Sequence, residues 1–573
     1  MKIGADYSPE AFDESEWERD LAAGRAIGLS AIRCGANAWS TISPADGDWD
    51  ANWCERFLLC AESQGYDVIW QTPSSNPPPW VFDRWPELAG DGRRRFRGYC
   101  LSHSAYLALC AETAGKLQTA LGGSLALAGW EIANGPETIG CECPACASAF
   151  RQWLQERYGS LDALNKRWRT ASWGQTYSRW EQIPVLTSLL GEMPPSPILL
   201  GGARFRASQR AGHIRAQALA LRSAGSGRVC GYVRHGLTQR SYDCWALDDV
   251  LSVRASNYTL GNAETSVLNI AVGRGERPGS KPLWVTQIDM PSDTAKRQSW
   301  REVLDFCAVS EAEYAFCGVL RQLPSSNAPD RQALLTHAGL ATAFSSELGQ
   351  AIPDDSGREG VLPDLGVYFV YSFEQLQALS GRSSHPGTAF DIRAALSRWY
   401  AATGDAGVVA RVGGYEGISG LEETIIAPHQ SLREPGVLKV LHDAVVAGAT
   451  LVTTVDFGWC DDDGNIVPEP PLHLLSLWGG QAPDIEIVRL SRKDKLAGRL
   501  NGVDVSASHF AALSVRAAPR GARYEEIGRL EGDGLQVSAV LRTRIGQGQV
   551  YVALADFDRA GIAALISLAC ATL

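Results

Sequence analysis

Leu125-Ala126-Leu127-Ala128-Gly129-Trp130-Glu131-Ile132-Ala133-Asn134 is a largely apolar run that ends on a polar residue, and it reads as a buried strand. Seven further strand candidates lie within residues 1–345: Met1–Asp6, Ser30–Gly35, Asp67–Thr72, Arg228–Arg234, Val250–Val253, Leu283–Asp289 and Tyr314–Leu320. Helical patterns, such as Glu14–Ile27 and Trp53–Gln64, separate most of them. Repeated strand–helix units imply a parallel sheet, and eight of them imply a closed (β/α)8 TIM barrel. Chemistry in such barrels sits at the C-terminal strand ends. Those ends are Asp6, Arg33, Thr72, Asn134, Arg234, Asn257, Gln287 and Arg321.

Outward from the barrel, the composition turns polar over Ser345–Asp364, which reads as a linker containing Pro353-Asp354-Asp355-Ser356-Gly357. A second alternating pattern follows over residues 360–484: Leu365–Val370, a helix near Phe390–Thr403, Thr424–Ala427, a helix near Leu438–Ala447, and Thr450–Val455. Its spacing suits a small doubly wound α/β domain. Residues 485–573 shift to short alternating strands with Gly turns, the pattern of a small all-β domain.

The 573 residues exceed what one core organises. A net charge of −11 argues against nucleic-acid and anionic-membrane partners. No run of about 20 apolar residues is present, so no membrane span is expected. Met1-Lys2-Ile3-Gly4 runs into the first strand without the apolar core of a secretion signal, so a cytoplasmic location is expected. The 14 cysteines then read as reduced thiols and metal ligands. Cys141, Cys143 and Cys146 crowd into a single short loop, as tetrahedral zinc requires, and Cys100 is the natural fourth ligand. Four protein ligands would leave the zinc closed and structural. The alternative is an incidental or redox-active Cys-x-x-Cys.

A family pattern runs through these segments. Asp6-Tyr7-Ser8-Pro9-Glu10, Ile32 to Ser40, Gln71 to Trp80, Gly129 to Asn134, the Cys100/Cys141/Cys143/Cys146 set, Phe150 to Leu154 and Trp173 to Trp180 occur in order. In this the chain resembles glycoside hydrolase family 42, mostly β-galactosidases. The resemblance implies a structural zinc site, a trimerisation domain after the barrel and hence a homotrimer. It also implies a small-molecule glycoside or oligosaccharide as substrate. Arg33, Asn134, Trp180 and Tyr258 fall where it implies sugar contacts.

The resemblance further implies a retaining mechanism with two glutamates, one after the Asn ending strand four and one ending strand seven. Such pairs stand about 5–5.5 Å apart. Here Asn134 is followed by Gly135, and Gln287 occupies the strand-seven position. Glutamine does not ionise and is a poor nucleophile. Glu137 and Asp289 each lie two residues downstream of a vacant position. In an extended strand, that places them on the same face and about 6.6 Å further along. One reading makes Glu137 and Asp289 a displaced catalytic pair. A second keeps Gln287 as a group that orients substrate. A third is a carbohydrate-binding or scaffold homologue that no longer cleaves bonds. His235, after strand five, is a further candidate, though a structural His at such a place is common.

Overall fold

The computed structural model describes the chain except residues 90–98, 133–140, 142, 186–195, 232–242, 244, 260–262, 276–280, 290–298, 325–332, 353–365, 381–390, 421, 469–485, 489–495, 509–513, 517–523, 533–534 and 572–573. Eight parallel strands form the first unit: β1 (Lys2–Asp6), β2 (Ala31–Cys34), β3 (Asp67–Thr72), β4 (Leu127–Ile132), β5 (Val229–Gly231), β6 (Arg254–Thr259), β7 (Leu283–Asp289) and β8 (Ala312–Arg321). Their order is β5-β4-β3-β2-β1-β8-β7-β6. The seam between β5 and β6 is bridged where the Ser252 and Val253 N–H groups donate to the Val229 carbonyl at 3.0 and 3.1 Å. This is a nearly closed TIM barrel.

Strand alternation sorts the side chains into two cores. Ala31, Ile69, Cys230, Val253, Ala255, Trp284, Tyr314 and Phe316 fill the inside. Trp130, Ile132, Val285 and Ile288 pack outward, with the surrounding helices. Two of the large inner rings, Trp284 and Phe316, need missing side chains opposite them. A Cβ on Gly129 would lie 2.7 Å from the Trp284 ring, and one on Gly4 would lie 2.6 Å from the Phe316 ring and 2.8 Å from the Ala31 carbonyl oxygen. Gly4→Ala is therefore expected to cost about 1–3 kcal/mol by overpacking, read as a lower denaturant midpoint. An unchanged midpoint would show that the ring moves aside freely.

The sixth strand differs from the expectation at Val250–Val253. The N–H groups of Val250 and Leu251 turn back to the Leu247 carbonyl at 3.0 and 2.9 Å, so that apolar stretch is largely consumed in a turn. The strand begins at Arg254. Similarly, the first residues of the expected linker, from Ser345, belong to the helix Ala343–Ala351, which Thr342 caps by accepting from the Ser345 N–H. Pro353 to Gly357 lie outside the described residues.

After the barrel, strands Arg411–Gly413, Val367–Val370, Thr424–Ala427 and Thr450–Thr454 lie side by side in that order, all parallel. Thr450–Thr454 then pairs in parallel with Gly548–Ala553, which continues into the antiparallel strands of the tail. The segments 360–484 and 485–573 thus contribute strands to one common sheet, while Glu486–Val488 and Ser514–Arg516 pair separately as a two-stranded sheet. The tail, expected as all-β, also carries the helix Arg559–Cys570. Its apolar side chains join the core under that common sheet.

In doubly wound sheets, a ligand crevice opens where the strand order reverses. Here that point lies between Val367–Val370 and Thr424–Ala427, and the barrel reaches the neighbouring strand ends at Tyr371 and Gly414. Trp245 packs edge-on against Tyr371, with ring centroids 5.4 Å apart. An ionic seam runs alongside. Arg204 pairs with Glu374 at 2.5 Å and Asp462 at 3.2 Å, Arg167 pairs with Asp463 at 2.6 Å, and the Tyr158 hydroxyl donates to Asp463 at 2.6 Å. The second unit is thereby tied to the barrel and to the helix Pro144–Tyr158.

Candidate functional site

The inner face of the barrel carries a polar cluster near its C-terminal end. β1 and β2 are in register, with Asp6 beside Arg33, and β3 and β4 set Gln71 beside Glu131. Arg33 Nε and Nη2 donate to Asp6 Oδ1 and Oδ2 at 2.6 and 2.7 Å. Arg33 Nη1 also donates to Glu131 Oε1 and Oε2 at 3.3 and 3.2 Å, and Gln71 Nε2 donates to Glu131 at 3.2 Å. Arg33 is 3% exposed. A sugar-binding Arg was expected there, but its guanidinium is committed to carboxylates. Asp6, with 36% of its side chain exposed, is the member of the cluster that faces the mouth.

Glu131 lies in the Gly129 to Asn134 stretch but is not among the expected site residues. Burial pushes its carboxyl up to about 7; Arg33 opposes this rise and Asp6 adds to it. The sequence signal was a charged residue at an inward position of a strand that is otherwise apolar. Glu10, in the single turn Pro9–Ala11 that follows β1, is a second buried carboxyl. Burial raises its carboxyl to about 7, and its Oε2 has no hydrogen-bond partner among the described residues.

On β7, Val285 pairs with Ser256 but Gln287 pairs with Asn257, so Thr286 is an extra residue in a bulge. Bulges re-aim side chains beside functional sites. Because Ile288 packs in the outer core, alternation turns the half-buried Gln287 to the inner face. Asp289 ends the strand opposite Thr259. Asn134, Gly135, Glu137 and His235 lie outside the described residues.

The remaining expected contacts are not brought to this cluster. Tyr258 is 2% exposed and packs on the outer side of the barrel, its ring 6.1 Å from Phe306. The reason is alternation: Ala255 on the same strand faces inward, so Tyr258, three residues on, faces the helices. Trp180 packs against the helical cluster around Phe150 and Trp168. Arg321 at the end of β8 is held by Asp20 at 2.8 Å and Glu16 at 3.1 Å, and serves packing of the first helix.

Cys100, Cys141, Cys143 and Cys146 converge, their sulfurs all within 4.8 Å of one another. Cys143 caps the helix Pro144–Tyr158, its sulfur accepting from the Cys146 N–H at 3.5 Å. Tetrahedral zinc with Zn–S of about 2.3 Å sets sulfurs about 3.8 Å apart, so these donors fit such an ion with small adjustments. Thiol hydrogen bonds from Cys100 lower the Cys141 thiol to about 7 and pull Cys143 down, while Cys100 and Cys146 are themselves pushed up, so a metal ion would have to displace their protons. The cluster can hold a metal ion.

A nearly closed (β/α)8 barrel, a polar inner cluster at the strand ends and a second sheet docked beside them define a barrel protein of the glycosidase architecture. Two family profiles match: one described as beta-galactosidase over residues 6–274, and one described as beta-galactosidase trimerisation domain over residues 366–572. Together they take in most of the chain, and the chain belongs to glycoside hydrolase family 42. It is 34% identical over 236 residues to the beta-galactosidase BgaA of a Thermus species, a stretch covering 39% of this chain and 36% of that one. A beta-galactosidase of Halorubrum lacusprofundi is 33% identical over 39% of this chain and 33% of its own length. The match thus spans about a third of these curated relatives. In fold the likeness is wider. The solved beta-galactosidase of Halorubrum lacusprofundi superposes with a TM-score of 0.85 at 22% identity, covering 100% of this chain and 89% of that one. That of Rahnella sp. R3 gives 0.85 at 21%, covering 100% and 88%. No helix among the described residues is long and apolar enough to cross a membrane.

Proposed function

We propose that this protein is a glycoside hydrolase acting on a β-linked glycoside, with altered specificity or mechanism relative to the β-galactosidases it resembles. The observation that carries the reading is the bulge on β7, which turns Gln287 to the inner face of a barrel that keeps its polar cluster. A barrel that had become a passive scaffold would have no need to aim an amide there. In this reading Gln287 orients the sugar, Asn134 bonds a hydroxyl beside the reacting carbon, and Glu137 with Asp289 supplies the displaced acid/base pair. Asp6, backed by Arg33, meets the sugar at the mouth. We further propose that zinc fills the Cys100/Cys141/Cys143/Cys146 site, that the assembly is a homotrimer, and that the protein works in the cytoplasm.

A panel of nitrophenyl glycosides tests the function. Wild type is expected to cleave at least one β-glycoside, and Glu137→Gln or Asp289→Asn to lower that rate by about a hundredfold or more. The competing reading, a non-catalytic sugar-binding homologue, predicts silence across the panel and galactosidase activity only in the Gly135→Glu/Gln287→Glu protein. That pattern would replace the proposal.

A further inference from the structure

Inside the barrel, Glu131 is met from three other strands: by Arg33 of β2, Gln71 of β3 and the Cys230 thiol of β5. Asp6 of β1 lies on the far side of the guanidinium. Two carboxyl groups therefore share one cation. The sharing is unequal: Arg33 reaches Asp6 at 2.6 and 2.7 Å, but Glu131 only at 3.3 and 3.2 Å. An N–H donated to an ionised carboxylate settles at about 2.7–2.9 Å. Both Glu131 contacts come from the single nitrogen Nη1, while Nε and Nη2 each close on one Asp6 oxygen, so Asp6 is the near countercharge and Glu131 the less well-served carboxyl. The two ends also differ in access, since Asp6 has 36% of its side chain exposed and Glu131 has none.

We propose that Glu131 is a proton-operated positioning residue: protonated, it leaves Arg33 to Asp6; ionised, it draws the guanidinium inward and leaves Asp6 with less of its countercharge at the barrel mouth. The cluster passes from neutral to a net single negative charge, and the charge offered to a ligand at Asp6 changes with it. This does not depend on whether the protein cuts glycosidic bonds.

Burial moves the Glu131 carboxyl from an ordinary 4.5 to about 7, so the change falls near neutral pH. A carboxyl whose folded value lies above its unfolded value stabilises the fold fully below about 4.5, and that contribution is lost as pH rises through about 7. Glu10 and Glu434 are also raised to about 7 by burial, so the component due to Glu131 is read as a difference between proteins.

The test is the unfolding temperature from about pH 5 to about pH 9 for wild type, Glu131→Gln, Asp6→Asn and the double variant. The wild-type minus Glu131→Gln curve is expected to fall through neutrality. In the Asp6→Asn background, Glu131 holds Arg33 alone, and the midpoint of the corresponding difference is expected to move towards acid by about one pH unit or more. A purely structural contact would displace the curves without moving a midpoint. A flat wild-type difference, or an Asp6→Asn midpoint that stays in place, overturns the proposal. Should Glu131→Gln fail to fold, the midpoint in Asp6→Asn against wild type decides alone.

Discussion

Arg33→Leu is expected to cost the barrel about 3–5 kcal/mol, because it strands two carboxyl groups that one guanidinium now serves. All four carboxylate contacts of Arg33 would be lost, and one of the two carboxyl groups, Glu131, is fully buried. The guanidinium also lies 5.8 Å from the centre of the Phe316 ring, and Leu would recover only part of that packing. The measurement is the denaturant midpoint of the barrel, compared with a triple variant Asp6→Asn/Arg33→Met/Glu131→Gln. Exchanging a whole buried ionic group for neutral side chains is far less costly than breaking it, so the triple variant should regain most of the loss. If Arg33→Leu unfolds within about 1 kcal/mol of wild type, the barrel does not depend on this ionic cluster for its stability.

Cys143→Ser is expected to reduce bound metal from about one ion per chain to near none, since three sulfurs no longer close a tetrahedral site. Its effect should spread along one helix. Cys143 and Cys146 sit at the start of Pro144–Tyr158, and Tyr158 at its other end grips Asp463 in the second unit. Hydrogen exchange should accelerate in that helix and then in the Asp461–Asn465 turn, while the sheet around Thr450–Thr454 keeps its protection. Metal analysis and exchange together check this. Wild type purified with zinc present yet free of bound metal would overturn the metal reading. Retained protection at Asp463 would show that the seam stands without the cluster.

The sequence made the repeating units legible because their apolar runs are long and their alternation is clear. β3 and β7 fall at the residues expected, Asp67–Thr72 and Leu283–Asp289. The strand at 450 is also close to its expectation, at Thr450–Thr454. The sixth strand was misplaced because Val250 and Leu251 are apolar for the sake of a buried turn. Composition does not distinguish a buried turn from a short strand. Tyr258 shows the same limit: only its face of the strand tells a sugar contact from an outer-core ring.

What the sequence by itself determined is local: the barrel units, the cysteine loop, and the identities Gly135 and Gln287 at the two positions where the family resemblance leads one to expect glutamates. These follow from residue identity and short-range spacing. Tertiary structure alone decided the rest. It brought Arg33 to Glu131 across 98 residues, placed Cys100 against Cys146, and turned Gln287 inward through one extra residue at Thr286. It also packed Trp245 of the barrel against Tyr371 of the second sheet. Strand register and barrel closure set those encounters, and neither is written in any one segment of the chain.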